Sequence, residues 1–281
     1  MSGWYRNGTS VDSIPIDDRA VQYGDGLFET IAIRAGKPRL FDLHLERLER
    51  GCVVLGIEMP DASKLENDLA SAIEQSQETP AHSVAKIVVS SGVSQRGYGR
   101  KKPSPASVVI GVFPSRPVAA ESYREGVNTI LCTTRLAVYS ATAGLKSLNR
   151  IEQVLGRSEC LTGDAFEGLM LDAEERLICG TMSNVFIAVD KTIVTPSLDR
   201  CGVEGVMRSF AIQSLAAEGI EVSVRDVALD EFRDCEEVFL TNSQFGALPI
   251  RQCDGKTLVP GRLTREVTAI LARNGITECA L

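Results

Sequence analysis

The chain has 281 residues, room for one large domain or two of ordinary size, and its 44% hydrophobic and 24% charged composition is that of a soluble globular protein. No segment approaches the ~20 apolar residues of a membrane span, and the opening MSGWYRNGTSVDSI lacks the apolar stretch of a secretory signal. A net charge of -7 argues against a nucleic-acid partner, and eight cysteines without a close CxxC pair fit a reducing cytoplasm. In chain order, clustered β-branched and apolar residues predict a strand over 27–33, and apolar residues spaced by three and four predict helices over 43–55 and 65–73. Strands follow over 84–90 and 107–113. The segment 114–122, PSRPVAAES, carries two prolines and small residues, and predicts a linker over 115–122. Beyond it come a strand over 128–132, a helix over 145–161, strands over 168–171 and 185–189 and a helix over 206–215. Strands over 221–224 and 237–241 and a helix over 263–271 complete the pattern. The helices fall between runs of strands and do not alternate with them one for one, which predicts an α+β fold in place of a doubly wound parallel sheet.

Few residues are available for metal or triad chemistry. No metal-site spacing occurs, the only imidazoles are His44 and His82, and His44 in LFDLHLERLER reads as a structural histidine. Neither a Walker sequence nor a strand-linked GxGxxG is present. Lys146, in ATAGLKSLNRIEQVL, is a lone lysine between small and apolar residues. Desolvation there would favour a neutral amine able to form a Schiff base, whereas a stem lying along the surface would leave a solvated ammonium; the residues alone leave both open.

Seven segments narrow that choice: YGDGLFET (23–30), HLERL (44–48), RGYG (96–99), GLKSLNRIEQVLGRSE (144–159), SNVF (183–186), GVEGVMR (202–208) and LTNSQFGALPI (240–250). In this order and spacing the chain resembles the class IV pyridoxal-phosphate proteins, which include branched-chain and D-amino-acid aminotransferases. Its LKxLNRxEQV, RGY and NSQFG segments resemble the aminodeoxychorismate lyase branch. The resemblance implies the two-domain fold type IV, with a smaller N-terminal α+β domain over 1–114 and a larger cofactor-binding domain over 123–281. It also implies a homodimer and pyridoxal 5'-phosphate as cofactor, to which charge, cysteine usage and the lack of an apolar span add the expectation of a cytoplasmic protein with no nucleic-acid or membrane partner. The implied reaction turns the small-molecule substrate 4-amino-4-deoxychorismate into 4-aminobenzoate and pyruvate, and the alternative is an aminotransferase or a non-catalytic cofactor-binding protein.

Residue by residue, Lys146 matches the Schiff-base lysine and Arg47 the arginine that grips the cofactor phosphate, a role suited to a fixed guanidinium. The resemblance places the amides of Val206 and Met207 and the hydroxyl of Ser243 at the same phosphate. Asn184 belongs to the SNVF motif at the cofactor. Arg96 and Tyr98 match substrate-carboxylate positions, and Tyr23 and Asn149 match positions near the cofactor. Lys101 and Lys102 read as a solvated loop. At one position the chain departs from the family: five residues before Asn184, where the resemblance calls for a glutamate at the pyridine nitrogen, stands Cys179. A neutral thiol is a poor substitute for that carboxylate. Glu174 and Glu175 could serve only through a shift of several residues.

Overall fold

The structure is a computed structural model that describes residues 3–76, 82–138, 141–162 and 165–280. Its residues group into two units, 1–117 with 145–149, and 118–144 with 150–281.

In the first unit the order is β1 (Gly3–Arg6), β2 (Thr9–Val11), α1 (Arg19–Tyr23), β3 (Gly26–Arg34), β4 (Lys37–Pro38), α2 (Phe41–Leu55), α3 (Ala62–Gln75), β5 (His82–Ser90) and β6 (Ser107–Pro114). Six strands form an antiparallel sheet in the order β2-β1-β6-β5-β3-β4. Alternation decides which face is buried: Ala85, Ile87 and Val89 of β5 and Leu27, Ile31 and Ile33 of β3 pack against Leu48 and Cys52 of α2 and Leu65 and Leu69 of α3. That stripe contains one charge, Glu29, only 1% exposed. On α2 the buried residues His44, Arg47, Leu48, Gly51 and Cys52 recur at three and four, so one helix face meets the sheet. Gly51 permits the contact, since a Cβ there would lie 2.6 Å from Leu27.

The second unit runs α4 (Ala120–Glu125), β7 (Val127–Leu136), α5 (Ile151–Thr162), β8 (Glu167–Asp172), β9 (Leu177–Gly180), β10 (Asn184–Val189), β11 (Thr192–Pro196), α6 (Val206–Ala217), β12 (Val222–Arg225), α7 (Leu229–Asp234), β13 (Glu237–Asn242), β14 (Gly246–Cys253), β15 (Lys256–Thr257) and α8 (Arg262–Arg273). A mixed nine-stranded sheet follows the path β12-β11-β10-β13-β14-β7-β8-β9, with β15 on β14. Helices and strands are segregated as an α+β fold requires. Among the described residues no helix is long and apolar enough to cross a membrane.

Two local readings of the sequence differ from the structure. The segment 115–122 contains the start of α4, because Ala119 to Glu125 completes helical hydrogen bonds up to the turn at Gly126. The helix expected over 145–161 begins only at Ile151. Residues 145–148 are extended instead: Phe28 N donates to Lys146 O and Leu148 N to Gly26 O, each at 3.0 Å, and Leu27 bridges Ser147. Burial there alternates with period two, Leu145 and Ser147 in, Lys146 and Leu148 half out, which the short sequence window concealed beneath a helical spacing. These bonds to β3 place 145–149 in the first unit.

Candidate active site

Within the first unit, Lys146 stands on the extended segment that pairs with β3. Its Nζ lies 4.3 Å from the centroid of the Phe28 ring, and Lys86 Nζ lies 5.0 Å from the same centroid. Cations are attracted to the electron-rich face of an aromatic ring. Lys146 is half-buried and held by main-chain bonds on both sides, so its amine projects from a fixed backbone.

Arg47 lies on the buried face of α2, opposite Glu29. Its Nε donates to Glu29 Oε1 at 2.8 Å and a terminal nitrogen donates to Oε2. His44, one turn earlier, meets Oε2 through Nδ1 at 2.6 Å. Burial alone would raise the Glu29 carboxyl, but the charge of Arg47 and the bonds from His44 and Arg47 outweigh it and hold it at about 2. His44 responds the other way: burial lowers it, against the pull of Glu29, so the ring is neutral at physiological pH. Its Nε2 is buried with no hydrogen-bond partner in the protein. The structural role expected for His44 is thus played inside a charged cluster.

Tyr23, Arg96 and Tyr98 come together around one loop. Tyr23 Oη accepts from Gly97 N at 3.1 Å, and the Tyr23 and Tyr98 ring centroids are 5.4 Å apart. Arg96 is exposed and Tyr98 is 87% exposed. Asn149 Nδ2 donates to Gly24 O at 3.1 Å.

In the second unit, helix α6 begins at Gly205 with no side-chain cap, which leaves its first amides, those of Val206 and Met207 included, available as donors backed by the helix dipole. Asn184, at the start of β10, donates through Nδ2 to Val203 O at 2.9 Å. A Cβ on Gly205 would lie 2.0 Å from Asn184 Oδ1, so glycine is required for that approach. Ser243 sits in the turn between β13 and β14, half-exposed, where Asn242 Oδ1 accepts from Gln244 N at 2.7 Å.

Cys179 is on β9, 5% exposed, packed with Cys132, Met170, Ile178, Leu198 and Cys201. Burial drives its thiol far above the ordinary range. Arg150 lies near enough to interact with it electrostatically, and burial lowers that guanidinium. The two acids nearby in sequence are turned elsewhere: Glu175 binds Arg135 at 2.7 Å and Glu174 binds Arg176 at 3.0 Å, both more than half exposed. The carboxylate that does approach is Glu167 of β8, fully buried. Its oxygens accept from Gly168 N at 3.0 Å, Thr181 N at 3.1 Å, Met182 N at 3.2 Å and Ser183 Oγ at 2.7 Å, and also from Thr181 Oγ1.

Taken unit by unit, the residues have the chemistry that pyridoxal phosphate calls for in part: the first unit holds a half-buried lysine amine suited to an aldehyde and a buried arginine suited to a phosphate, and the second holds uncapped helix-terminal amides suited to a phosphate. At position 179, where the resemblance calls for a carboxylate, stands a neutral thiol. The sequence did not single out Glu29 or Glu167. A glutamate inside the apolar alternation Leu27-x-Glu29-x-Ile31 was a signal for the first; Glu167 falls one residue before the strand expected over 168–171 and gave none.

Comparison with known proteins gives the following. The family description Amino-transferase class IV matches residues 26–253. An aminodeoxychorismate lyase of Vibrio harveyi is 34% identical over 93% of this chain and 96% of its own. A D-alanine aminotransferase of Bacillus licheniformis is 26% identical over 95% of this chain and 94% of its own. Among solved structures, a 4-amino-4-deoxychorismate lyase from Pseudomonas aeruginosa is 38% identical with a TM-score of 0.90, covering 97% of this chain and 99% of that one. A branched-chain aminotransferase from Thermoproteus uzoniensis shares the fold at 22% identity and a TM-score of 0.85, covering 99% of this chain and 96% of that one.

Proposed function

The chain belongs to the class IV aminotransferase family, and on that basis we propose that it is a pyridoxal-phosphate lyase converting 4-amino-4-deoxychorismate to 4-aminobenzoate and pyruvate, a step toward folate. The observation that carries the reading is the fixed, half-buried Lys146 in a chain similar end to end to two aminodeoxychorismate lyases.

Pyridoxal phosphate supplies an aldehyde and an electron-withdrawing ring. In this reading Lys146 would be the residue that holds the cofactor through its amine. Arg47, oriented by Glu29 and His44, would supply the charge for the phosphate, and the amides of Val206 and Met207 and the Ser243 hydroxyl would supply neutral donors to it. Asn184 keeps the turn ahead of α6 in place. With substrate bound, the Lys146 amine would be the base that removes the proton from the carbon bearing the substrate amine. The bond to the enolpyruvyl oxygen breaks, the ring becomes aromatic, and Lys146 returns a proton so that the leaving group ends as pyruvate. Arg96, Tyr98 and Tyr23 receive the substrate carboxylates.

Aromatisation makes this elimination less demanding of the ring nitrogen than transamination is, which favours a lyase over an aminotransferase in a chain with Cys179. All eight cysteines are free and buried, in keeping with a reducing cytoplasm, and a homodimer is the assembly we infer. The test is incubation of the purified, cofactor-loaded protein with aminodeoxychorismate while 4-aminobenzoate and pyruvate are followed together. Equal release of both without a keto-acid acceptor is expected. Turnover only with such an acceptor would make it an aminotransferase, and no product from fully loaded protein would leave the lyase reading without support.

A further inference from the structure

Arg19 is the first residue of the five-residue helix α1 and the one buried residue in it, 3% exposed. Its donors explain the burial. Nε donates to Asp25 Oδ2 at 2.7 Å; one terminal nitrogen donates to Ser94 Oγ at 3.1 Å and Gly97 O at 2.9 Å; the other donates to Tyr98 O at 3.0 Å. The guanidinium carbon lies 4.7 Å from the centroid of the Tyr23 ring, whose hydroxyl accepts from Gly97 N. Three main-chain groups of the exposed 96–99 loop are thus bound to buried or half-buried side chains.

Asp25 is the centre of the cluster. Arg100 Nε reaches its Oδ2 at 2.8 Å, Arg100 also reaches Oδ1 at 3.2 Å, and Ser91 Oγ donates to Oδ2 at 2.8 Å. Arg100 further donates to Gly56 O, Leu55 O and Ser104 Oγ, which ties the far end of the loop to the end of α2. Of the basic run RGYGRKK, then, Arg100 is an internal brace. Gly97 has φ 105°, a conformation that a side chain would strain. Asp25 balances two guanidinium groups at once, so a neutral residue there would leave two cations facing each other.

An exposed tyrosine on an unsupported loop is mobile, and a ligand that binds it must order it first. Here the ordering cost is met at folding, because the loop backbone is clamped while the side chains of Arg96 and Tyr98 stay in solvent. We propose that Arg19 and Asp25 are positioning residues that hold the 96–99 loop in the conformation that receives a substrate carboxylate. This rests on the reading above that Arg96 and Tyr98 contact substrate.

The test uses the loaded enzyme with Arg19→Gln and Asp25→Asn, each alone and combined with Arg96→Ala. Loss of one charge-assisted hydrogen-bond set predicts a KM for aminodeoxychorismate raised about tenfold, with kcat and cofactor affinity within about twofold. Tryptic cutting of the Arg96–Gly97 bond in the absence of substrate should accelerate, a readout independent of turnover. On the Arg96→Ala background the added rise in KM should largely disappear, as expected of residues acting through one loop. An unchanged KM and unchanged cutting in Asp25→Asn, with Arg96→Ala still raising KM, would overturn the positioning role alone. An unchanged KM in Arg96→Ala would overturn the substrate reading and the proposal with it. Should Arg19→Gln not fold, Asp25→Asn, which preserves shape, decides.

Discussion

Glu29 in the first unit and Glu167 in the second are both fully buried, and they are stabilised by different means. Glu29 is matched by one cation, the Arg47 guanidinium on two edges, and by the neutral His44 ring on a third. Glu167 is matched by neutral donors, three amides and two hydroxyls, four of the five from the turn at 181–183; Arg157, at 3.9 Å and 40% exposed, contributes a screened charge. The first arrangement makes an acid the fixture for a cation, the one that the proposed reading assigns to the cofactor phosphate. The second makes an acid the fixture for a length of main chain, which leads directly into Asn184 and β10. Side-chain chemistry in the first unit and backbone geometry in the second are therefore prepared by the same residue type in opposite roles.

Glu29→Gln should have the largest effect. Removing one partner of a buried ion pair leaves Arg47 uncompensated and costs about 3–5 kcal/mol. A chemical denaturation midpoint measures it. If Glu29 also orients Arg47 toward the phosphate, affinity for pyridoxal phosphate should fall more than affinity for pyridoxal, which lacks the phosphate. Acid offers a second measure. His44 is held below its ordinary 6.5 and Glu29, at about 2, below its ordinary 4.5, so in each case the unfolded chain takes up protons first. Their stability contributions are complete above pH 6.5 and 4.5 respectively, and that of Glu29 is lost as pH falls through 2. In Glu29→Gln the lower of these two losses should vanish from the pH-stability curve. An unaltered acid limb would mean that the ion pair is not what holds the first unit together at low pH.

Glu167→Gln should cost less, about 1–3 kcal/mol, because the amide oxygen can still accept while its NH2 now faces donors. Cofactor affinity should fall with phosphate and without it alike, since what moves is a turn and not a charge. A loss as large as that of Glu29→Gln would erase the distinction drawn between the two acids.

How far the sequence could be read follows the same division. The core strands and helices were legible wherever one face is buried over several turns or alternations, as in β3, β5, α2 and α6. Among elements of four to six residues, β8, β10, β12 and β13 were legible and β9, β11 and α7 were not, because so few residues carry too little periodicity to decide every case. Lys146 and Arg47 could be singled out from motifs, but pairings distant in sequence could not: Glu29 meets Arg47 across 18 positions, and Asp25 meets Arg100 across 75. Such pairings are set by the register of β3 and the path of the loop. The extended start of the segment 145–148 was hidden for a related reason, since its hydrogen bonds go to β3 and not along its own chain.

The smallest effect, and the one that bears most on chemistry, is expected at Cys179. In the proposed reading this position faces the pyridine nitrogen, where a carboxylate would favour the protonated ring and a buried neutral thiol cannot. The native enzyme should then hold a largely unprotonated ring and transaminate poorly, while elimination proceeds with the help of aromatisation. Cys179→Glu would add a further buried acid, beside Glu167 and near Arg150. Unlike Glu167 it has no ring of amides prepared for it, so its charge would depend on a cation, and a protonated ring nitrogen is one. Side transamination with good amino donors should rise about threefold to tenfold, roughly 1 kcal/mol in barrier, with lyase turnover within twofold. The longer side chain must fit among Cys132, Met170, Ile178, Leu198 and Cys201. Overpacking there costs about 1–3 kcal/mol, so cofactor occupancy and the unfolding midpoint are measured on the same preparation. A stable, fully occupied variant with an unchanged transaminase rate would show that position 179 does not govern the ring, and that the acid or cation that does must be sought elsewhere.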